Sequence, residues 1–242
     1  MNFRAFTSLL GGLTLAALVT STSVLGQDRV PDDIKDEVEQ SQKSAKVFTE
    51  IMGAPDSAIP QNILDGAECV AVFPNVIKAG FIIGGRGGRG VASCRVGNSW
   101  SAPVYFNIGG GSFGAQIGAE STDFVLLFMN KDGVNTLLKN KFEIGGEASV
   151  SAGPVGRTAA ASTDAYLNSQ ILSYSRSKGL FAGVMLKGAV IEIDEGDMRD
   201  AYGRETSPKM ILMENKANAQ PGIRAFPDTL TRYSTRGEKA TR

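Results

Sequence analysis

Apolar and small side chains recur at Ile34, Val38, Ser41, Ala45, Phe48 and Met52, at spacings of 4, 3, 4, 3 and 4 residues. That spacing puts them on one face of a helix. Asp32, Asp33, Asp36, Glu37, Glu39, Lys43 and Lys46 fall on the opposite face, and the early acids suit the helix amino end. Pro31 opens this segment, and Gly53 and Pro55 close it. Its polar face is acidic rather than rich in Lys and Arg. The pattern therefore predicts a helix that covers a sheet, not one that lies on a membrane. A second, short helix is expected near Gln61 to Asp65.

From residue 69 to residue 193 the pattern changes to that of strands. Cys69-Val-Ala-Val-Phe73 reads as the first of them. Phe81-Ile-Ile83 and Val91 to Val96 are expected to flank a glycine turn, and Val104 to Ile108 follows Pro103. Phe124-Val-Leu-Leu-Phe-Met129 is an unbroken apolar run, as in a strand buried on both faces. Residues 132–139 read as a short helix, and a long pair of strands is expected through Ile171 to Arg176 and Leu180 to Ile193. Asp194 to Tyr202 turns helical, and periodicity fades beyond residue 203. Between Gly145 and Ser162, 14 of 18 residues are Gly, Ala, Ser, Thr or Pro. A linker is one reading of that stretch; small-residue strands under close backbone approach are preferred. No long helix alternates with strand, which argues against a parallel βαβ sheet. The expected fold is α+β: an antiparallel-rich sheet or partial barrel covered by the N-terminal amphipathic helix and short helices.

Composition narrows the chemistry. The chain has 242 residues, 42% hydrophobic and 21% charged, with 25 basic and 25 acidic residues that cancel. Nothing in that balance points to nucleic acid. It holds 29 glycines, well above the usual ~7%, with no collagen period. Histidine is absent. This removes Ser-His and Cys-His nucleophile pairs, His-ligated metals and the usual general base near neutral pH. Two cysteines cannot make a four-ligand metal site, and neither metal nor cofactor is expected. Composition points toward a binding module.

The amino terminus reads as a processing segment. Met1 to Arg4 is a short basic region, and the apolar core that follows spans only 11 residues, 9 to 19. A membrane span needs ~20. Small Gly26, with Val24 two places upstream, fits cleavage after residue 26. The expected organisation is a signal peptide over 1–26, one domain over 27–220, and a basic tail over 221–242. The tail carries Arg224, Arg232, Arg236, Lys239 and Arg242 against Asp228 and Glu238. Export would place the protein in the periplasm or outside the cell, where two lone cysteines often pair. Cys69 and Cys94 are 25 residues apart, and closing that loop would give about 3.5 kcal/mol. Two small buried hydrophobes are the equal alternative.

Two motifs tempt and fail. Gly85-Arg-Gly87-Gly-Arg-Gly90 matches the dinucleotide fingerprint, but a strand follows it where the motif needs a helix. What remains is a glycine-rich hairpin carrying Arg86 and Arg89, either a solvated turn or a phosphate cradle. Ser175-Arg-Ser-Lys178 matches S-x-x-K, but its K-T-G and S-D-N partners are missing and it sits on a strand. Lys187 is the lone charge between Leu180 and Ile191. It should be paired, snorkelling, facing a polar pocket, or exposed at a strand bend near Gly188.

Three strings carry a family resemblance: Val70-Ala-Val-Phe-Pro-Asn-Val-Ile-Lys-Ala-Gly80, Gly114 to Asn130 (GAQIGAESTDFVLLFMN), and Tyr174-Ser-Arg-Ser-Lys-Gly-Leu-Phe-Ala-Gly-Val184. With Ala201-Tyr-Gly203, they make the chain resemble the SYLF domain over roughly residues 33–230. Where members usually show Ser-Leu-Glu-Gly, this chain has Met185-Leu-Lys-Gly188. The resemblance implies a non-enzymatic lipid-binding domain, with phosphoinositides as ligands in eukaryotic members and actin in some fungal ones. For an exported chain the transferable part is an anionic phospholipid headgroup or membrane surface, which it would meet as a peripheral protein. From charge and position, Lys78, Arg86, Arg89, Arg95, Arg176, Lys178 and Lys187 are the candidate headgroup contacts. The rival is a structural or protein-interaction module of the envelope, meeting an acidic protein partner through its basic tail.

Overall fold

The computed structural model describes residues 32–54, 58–156, 166, 168–217 and 219–234, with backbone alone at 80–83 and 112–119. The expected signal peptide, Pro31, Pro55, the end of the small-residue stretch and the last eight residues of the tail lie outside the described residues.

Two long strands, β1 (Cys69–Val96) and β3 (Val104–Phe128), pair antiparallel from Cys69↔Phe128 to Ala92↔Val104. Between them β2 (Ser99–Trp100) turns back on the end of β1. The register slips between Phe73 and Val76, where Pro74 has no N–H to give and Asn75 adopts φ 51°. Both residue types suit a bulge. The Asn75 N–H is received by Asp123 at 2.9 Å.

The glycine run does not form a hairpin. Residues 81–96 continue one strand, and the glycines serve close approach instead of a turn: β1 folds back across its own first half. A Cβ on Gly90 would lie 2.5 Å from the Val72 carbonyl oxygen, and one on Gly88 would lie 2.9 Å from Val76 Cγ2. The Arg95 N–H donates to the Glu68 carbonyl at 2.8 Å. A disulfide joins Cys69 to Cys94, α-carbons 4.0 Å apart, so the pair ties the two ends of one strand.

The remaining strands extend this curled ribbon on both sides. The second half of β3 pairs β6 (Ile171–Ser177), which carries β7 (Leu180–Gly183) antiparallel and β5 (Val150–Ala152) parallel. The first half of β3 pairs β8 (Val190–Ile193), which carries β4 (Lys141–Glu143). The result is an α+β fold with an eight-stranded sheet curled into a half-barrel. The expected strand from Leu180 to Ile193 is broken, because Gly188 at φ 73° reverses the chain between β7 and β8.

Helix α1 (Lys35–Met52) follows a 3-10 turn at Asp32–Ile34 and lies on the sheet. Helices α2 (Gln61–Gly66), α3 (Lys131–Leu137) and α4 (Glu195–Tyr202) stand where the periodicity placed them. Asp194 caps α4 by accepting from the N–H groups of Gly196 and Asp197. Beyond residue 203, where periodicity faded, α5 (Pro208–Leu212) and α6 (Ala225–Tyr233) form nonetheless. The expected tail is therefore packed as far as Ser234. Phe226 and Leu230 are fully buried, and Phe226 meets Phe48 edge-on at 6.3 Å. The Ser41 hydroxyl on α1 accepts from the Phe226 N–H and donates to the Ile223 carbonyl, docking α6 to α1.

Packing on both sides of α1 buries Glu37, which the helical pattern placed on the solvent face; it is 3% exposed. Desolvation raises its pKa, and the nearby carboxylates of Asp197, Asp200 and Asp36 add to the rise. Such an acid favours the fold in its protonated form. That contribution grows as pH falls through the raised folded value and is missing above it.

Two predictions follow from this packing. Gly90→Ala should cost roughly 1–3 kcal/mol in a denaturant titration, whereas Gly85→Ala, with nothing within 4 Å of the new Cβ, should leave stability unchanged or slightly improved. Equal tolerance at both sites would contradict the back-folded strand. Glu37→Gln, permanently neutral, should raise the Tm at pH 7 by up to about 2–4 °C. The gain should vanish as pH drops below the ordinary carboxylate value of ~4.3; a gain independent of pH would show that the charge of Glu37 is not its cause.

Candidate functional site

The four strand arginines meet different fates. Arg86 and Arg89 are three residues apart on one strand, so they point to opposite faces. Arg89 faces α1 and α4. It bonds Asp197 and lies 3.8 Å from Asp194 and 3.9 Å from Asp36, while Gln40 donates to its carbonyl oxygen at 2.8 Å. The bond to Asp197 holds the Arg89 guanidinium above its usual pKa. Burial, with Asp194 and Asp36 adding, still raises the Asp197 carboxyl despite that partner. Arg95 donates to the carbonyls at the end of α2, Leu64 at 3.1 Å and Ala67 at 2.8 Å, and to Ser234, and it stacks over Trp100 at 4.3 Å. Arg176 bonds Glu50 on α1 and donates to Asp123 at 2.9 Å. These three hold helices to the sheet. Each is already engaged by carboxylates or carbonyls, although the Arg89 side chain stays 39% exposed and its Nε makes no hydrogen bond.

Arg86 is different. Among the described residues no carboxylate forms an ion pair with it, its buried Nε has no partner, and its one hydrogen bond, to the Gly111 carbonyl, is at the 3.5 Å outer limit. Partial burial lowers its pKa, with no neighbouring carboxylate to offset it. It borders a half-open cavity of about 260 Å³ between β1, β3, β6 and the segment after β7. Lys78 stands on the facing part of the same strand, opposite Glu120 in register, and Val76 stands opposite Thr122. Phe124 is opposite Ser175, which adds the hydroxyls of Ser175 and Ser177 to the same wall. Glu120 accepts from Ser177 at 2.8 Å. Val184, Met185 and Leu186 close the remaining side.

Two cations, three hydroxyls and one engaged carboxylate make this cavity a receptor for an anion with several oxygens. Of the sequence-expected contacts it brings together Lys78 and Arg86. Lys178 is exposed on the β6–β7 turn nearby, and Lys187 is exposed on the turn before Gly188, its stem against Gly145. Glu120, Thr122, Ser175, Ser177 and Met185 were not expected. Period-2 alternation through Val76/Lys78 and Ser175/Ser177 is the signal that would have found them. A second cavity, about 330 Å³ beside α4, is lined by Glu195, Arg199 and Arg204; Arg199 is 3.6 Å from Asp200, and none of the expected basic residues reaches it. Among the described residues no cluster of metal ligands occurs, and no helix is long and apolar enough to cross a membrane.

Residues 109–233 match the family model described as Ysc84, Las17-binding protein actin regulator. LAS seventeen-binding protein 3 of Saccharomyces cerevisiae (strain ATCC 204508 / S288c) is 39% identical over 191 residues, 76% of this chain and 41% of the relative. The SH3 domain-containing YSC84-like protein 1 of Xenopus laevis is 33% identical over 180 residues, 73% of this chain and 53% of the relative. That of Bos taurus is 32% identical over 217 residues, 87% and 63%. The chain spans about two fifths of the length of the yeast relatives and less than two thirds of the vertebrate ones. These relatives are named for binding and for an SH3 domain, not for a reaction. The matched segment begins within β3 and runs through α6, so it takes in the strands that supply Glu120, Ser175 and Ser177 to the cavity, and the chain belongs to the Ysc84 family, the family of the SYLF domain.

Proposed function

We propose that the protein binds anionic phospholipid headgroups without catalysis, as an exported protein held peripherally at a membrane surface. One observation carries this reading: the desolvated, unpaired Arg86 guanidinium in a cavity shared with Lys78. A half-buried charge without an ionic partner is costly, and a phosphate supplies the acceptor that Nε lacks, in the fork geometry that guanidinium offers. Ser175 adds a neutral donor for a further oxygen, while the Ser177 hydroxyl is already given to Glu120. At about 260 Å³ the cavity has room for a phosphate and part of its headgroup, while the acyl chains remain in the bilayer. With a net charge of zero, long-range attraction is weak, so recognition rests on this local contact.

The names of the yeast relatives favour a second reading, a module that binds a protein partner. Co-sedimentation with vesicles separates the two. The protein should pellet with phosphatidylglycerol vesicles and not with phosphatidylcholine vesicles, less so as salt rises. Arg86→Gln should weaken that binding about tenfold, the effect of losing roughly 1.4 kcal/mol, with the Tm unchanged or raised. Arg89→Gln should instead lower the Tm, because it leaves three carboxylates without their cation. Equal binding to both vesicle types, or an Arg86→Gln variant that binds like the wild type, would overturn the headgroup reading. Absence of binding to either would favour the protein partner.

A further inference from the structure

We infer that the β6–β7 hairpin is the membrane-docking edge, with Leu180 and Met185 entering the boundary between headgroups and acyl chains beside the mouth of the Arg86 cavity. This inference rests on the headgroup reading and adds to it the face that meets the bilayer.

Four large hydrophobic side chains are exposed among the described residues: Ile77, Leu180, Met185 and Met213. Leu180 is 79% exposed at the turn end of β7, and Met185 is 57% exposed two residues past its other end. Leu180 stands directly opposite Ser177 in register, so it shares the sheet face of the cavity wall. Met185 lines the cavity itself. Ile77 alternates to the other face of β1, and Met213 sits past the end of α5.

The hairpin has the stiffness such an anchor needs. Lys178 and Gly179, at φ 51° and 80°, link Ser177 to Leu180 through the two-residue loop with both φ positive that matches the twist of paired strands. Nothing lies within 4 Å of a Cβ placed on Gly179, so the turn projects into open space.

Charge identifies the occupant. Residues 165–191 contain no Asp or Glu, and within them Lys178 and Lys187 are exposed while Arg176 is held by Glu50 and Asp123. Aliphatic tips flanked by lysines, with no acid on the segment, suit the interface of an anionic bilayer, where hydrocarbon lies beneath phosphate. Helix α1 offers no such surface: its apolar face is buried, and its exposed face mixes Asp36, Glu39 and Glu50 with Lys35, Lys43 and Lys46.

Leu180→Ser combined with Met185→Ser should weaken binding to phosphatidylglycerol vesicles about tenfold at 0.1 M salt, and should abolish the part that survives 0.5 M salt. Both positions are exposed, so the Tm should not move. Leu180→Trp should shift its emission to the blue on vesicle addition and be quenched by lipids brominated in the acyl chains, with the signal of Trp100 in the wild type subtracted. Should Leu180→Trp keep a water-exposed spectrum while the protein pellets with the vesicles and Arg86→Gln weakens that binding, another face docks and the headgroup reading alone stands. A wild-type protein that pellets with no vesicle overturns both.

Discussion

The fold depends on one strand crossing itself. β1 is 28 residues long, and its two halves are brought together by the Cys69–Cys94 disulfide, the Arg95–Glu68 backbone bond and the missing side chains of Gly88 and Gly90. Everything placed on that strand is positioned by the crossing. Arg86 comes to lie over Lys78 and the β6 serines, and Arg89 on the other face is delivered to the carboxylates of α1 and α4. Without the back-fold the curled sheet would open, and the cavity would be a flat surface with two solvated cations.

Within that frame, pairing decides which cations remain available. Acidic residues number the same as basic ones, and the fold uses them selectively. Asp36, Asp194 and Asp197 gather around Arg89, and Glu50 with Asp123 around Arg176. Four of these pairs tie α1 or α4 to the sheet and the fifth, Arg176 with Asp123, ties β6 to β3, and their loss would be read as lost stability. Arg86 keeps its charge desolvated and its Nε unbonded, a cost with no structural return apparent in its surroundings. Ser44, Arg89 and Tyr174 also carry a buried polar atom without a partner, so it is the cavity beside Arg86, shared with Lys78, that sets this site apart.

Much of this was legible in the chain. The 3.6-residue period found α1, the apolar run found the buried half of β3, and Asp194 read correctly as a helix start. What misled was glycine. A run of glycines reads locally as a turn, and only the three-dimensional crossing shows that Gly88 and Gly90 are there to admit another stretch of backbone. Reading a hairpin also grouped Arg86 with Arg89, whereas strand alternation separates them. The C-terminal helices escaped because α5 and the 3-10 turn at Pro221–Arg224 are too short to show a period, and α6 gains its place from Ser41 and Phe48 on a helix far away in sequence. Lys78 and Arg86 were visible as charges. Ser175 and Ser177 were visible only as part of a chance motif, since their role depends on which strand lies beside them.

The central claim is that Arg86 alone of the four strand arginines is open to an anion. The Nε–Hε resonances of the arginine side chains, followed by NMR during titration with a short-chain phosphatidylglycerol below its micelle concentration, test it most directly. The Arg86 resonance should move saturably, while those of Arg89, Arg95 and Arg176 stay in place. A shift shared equally by all four, or one at Arg89 with Arg86 unmoved, would contradict the account.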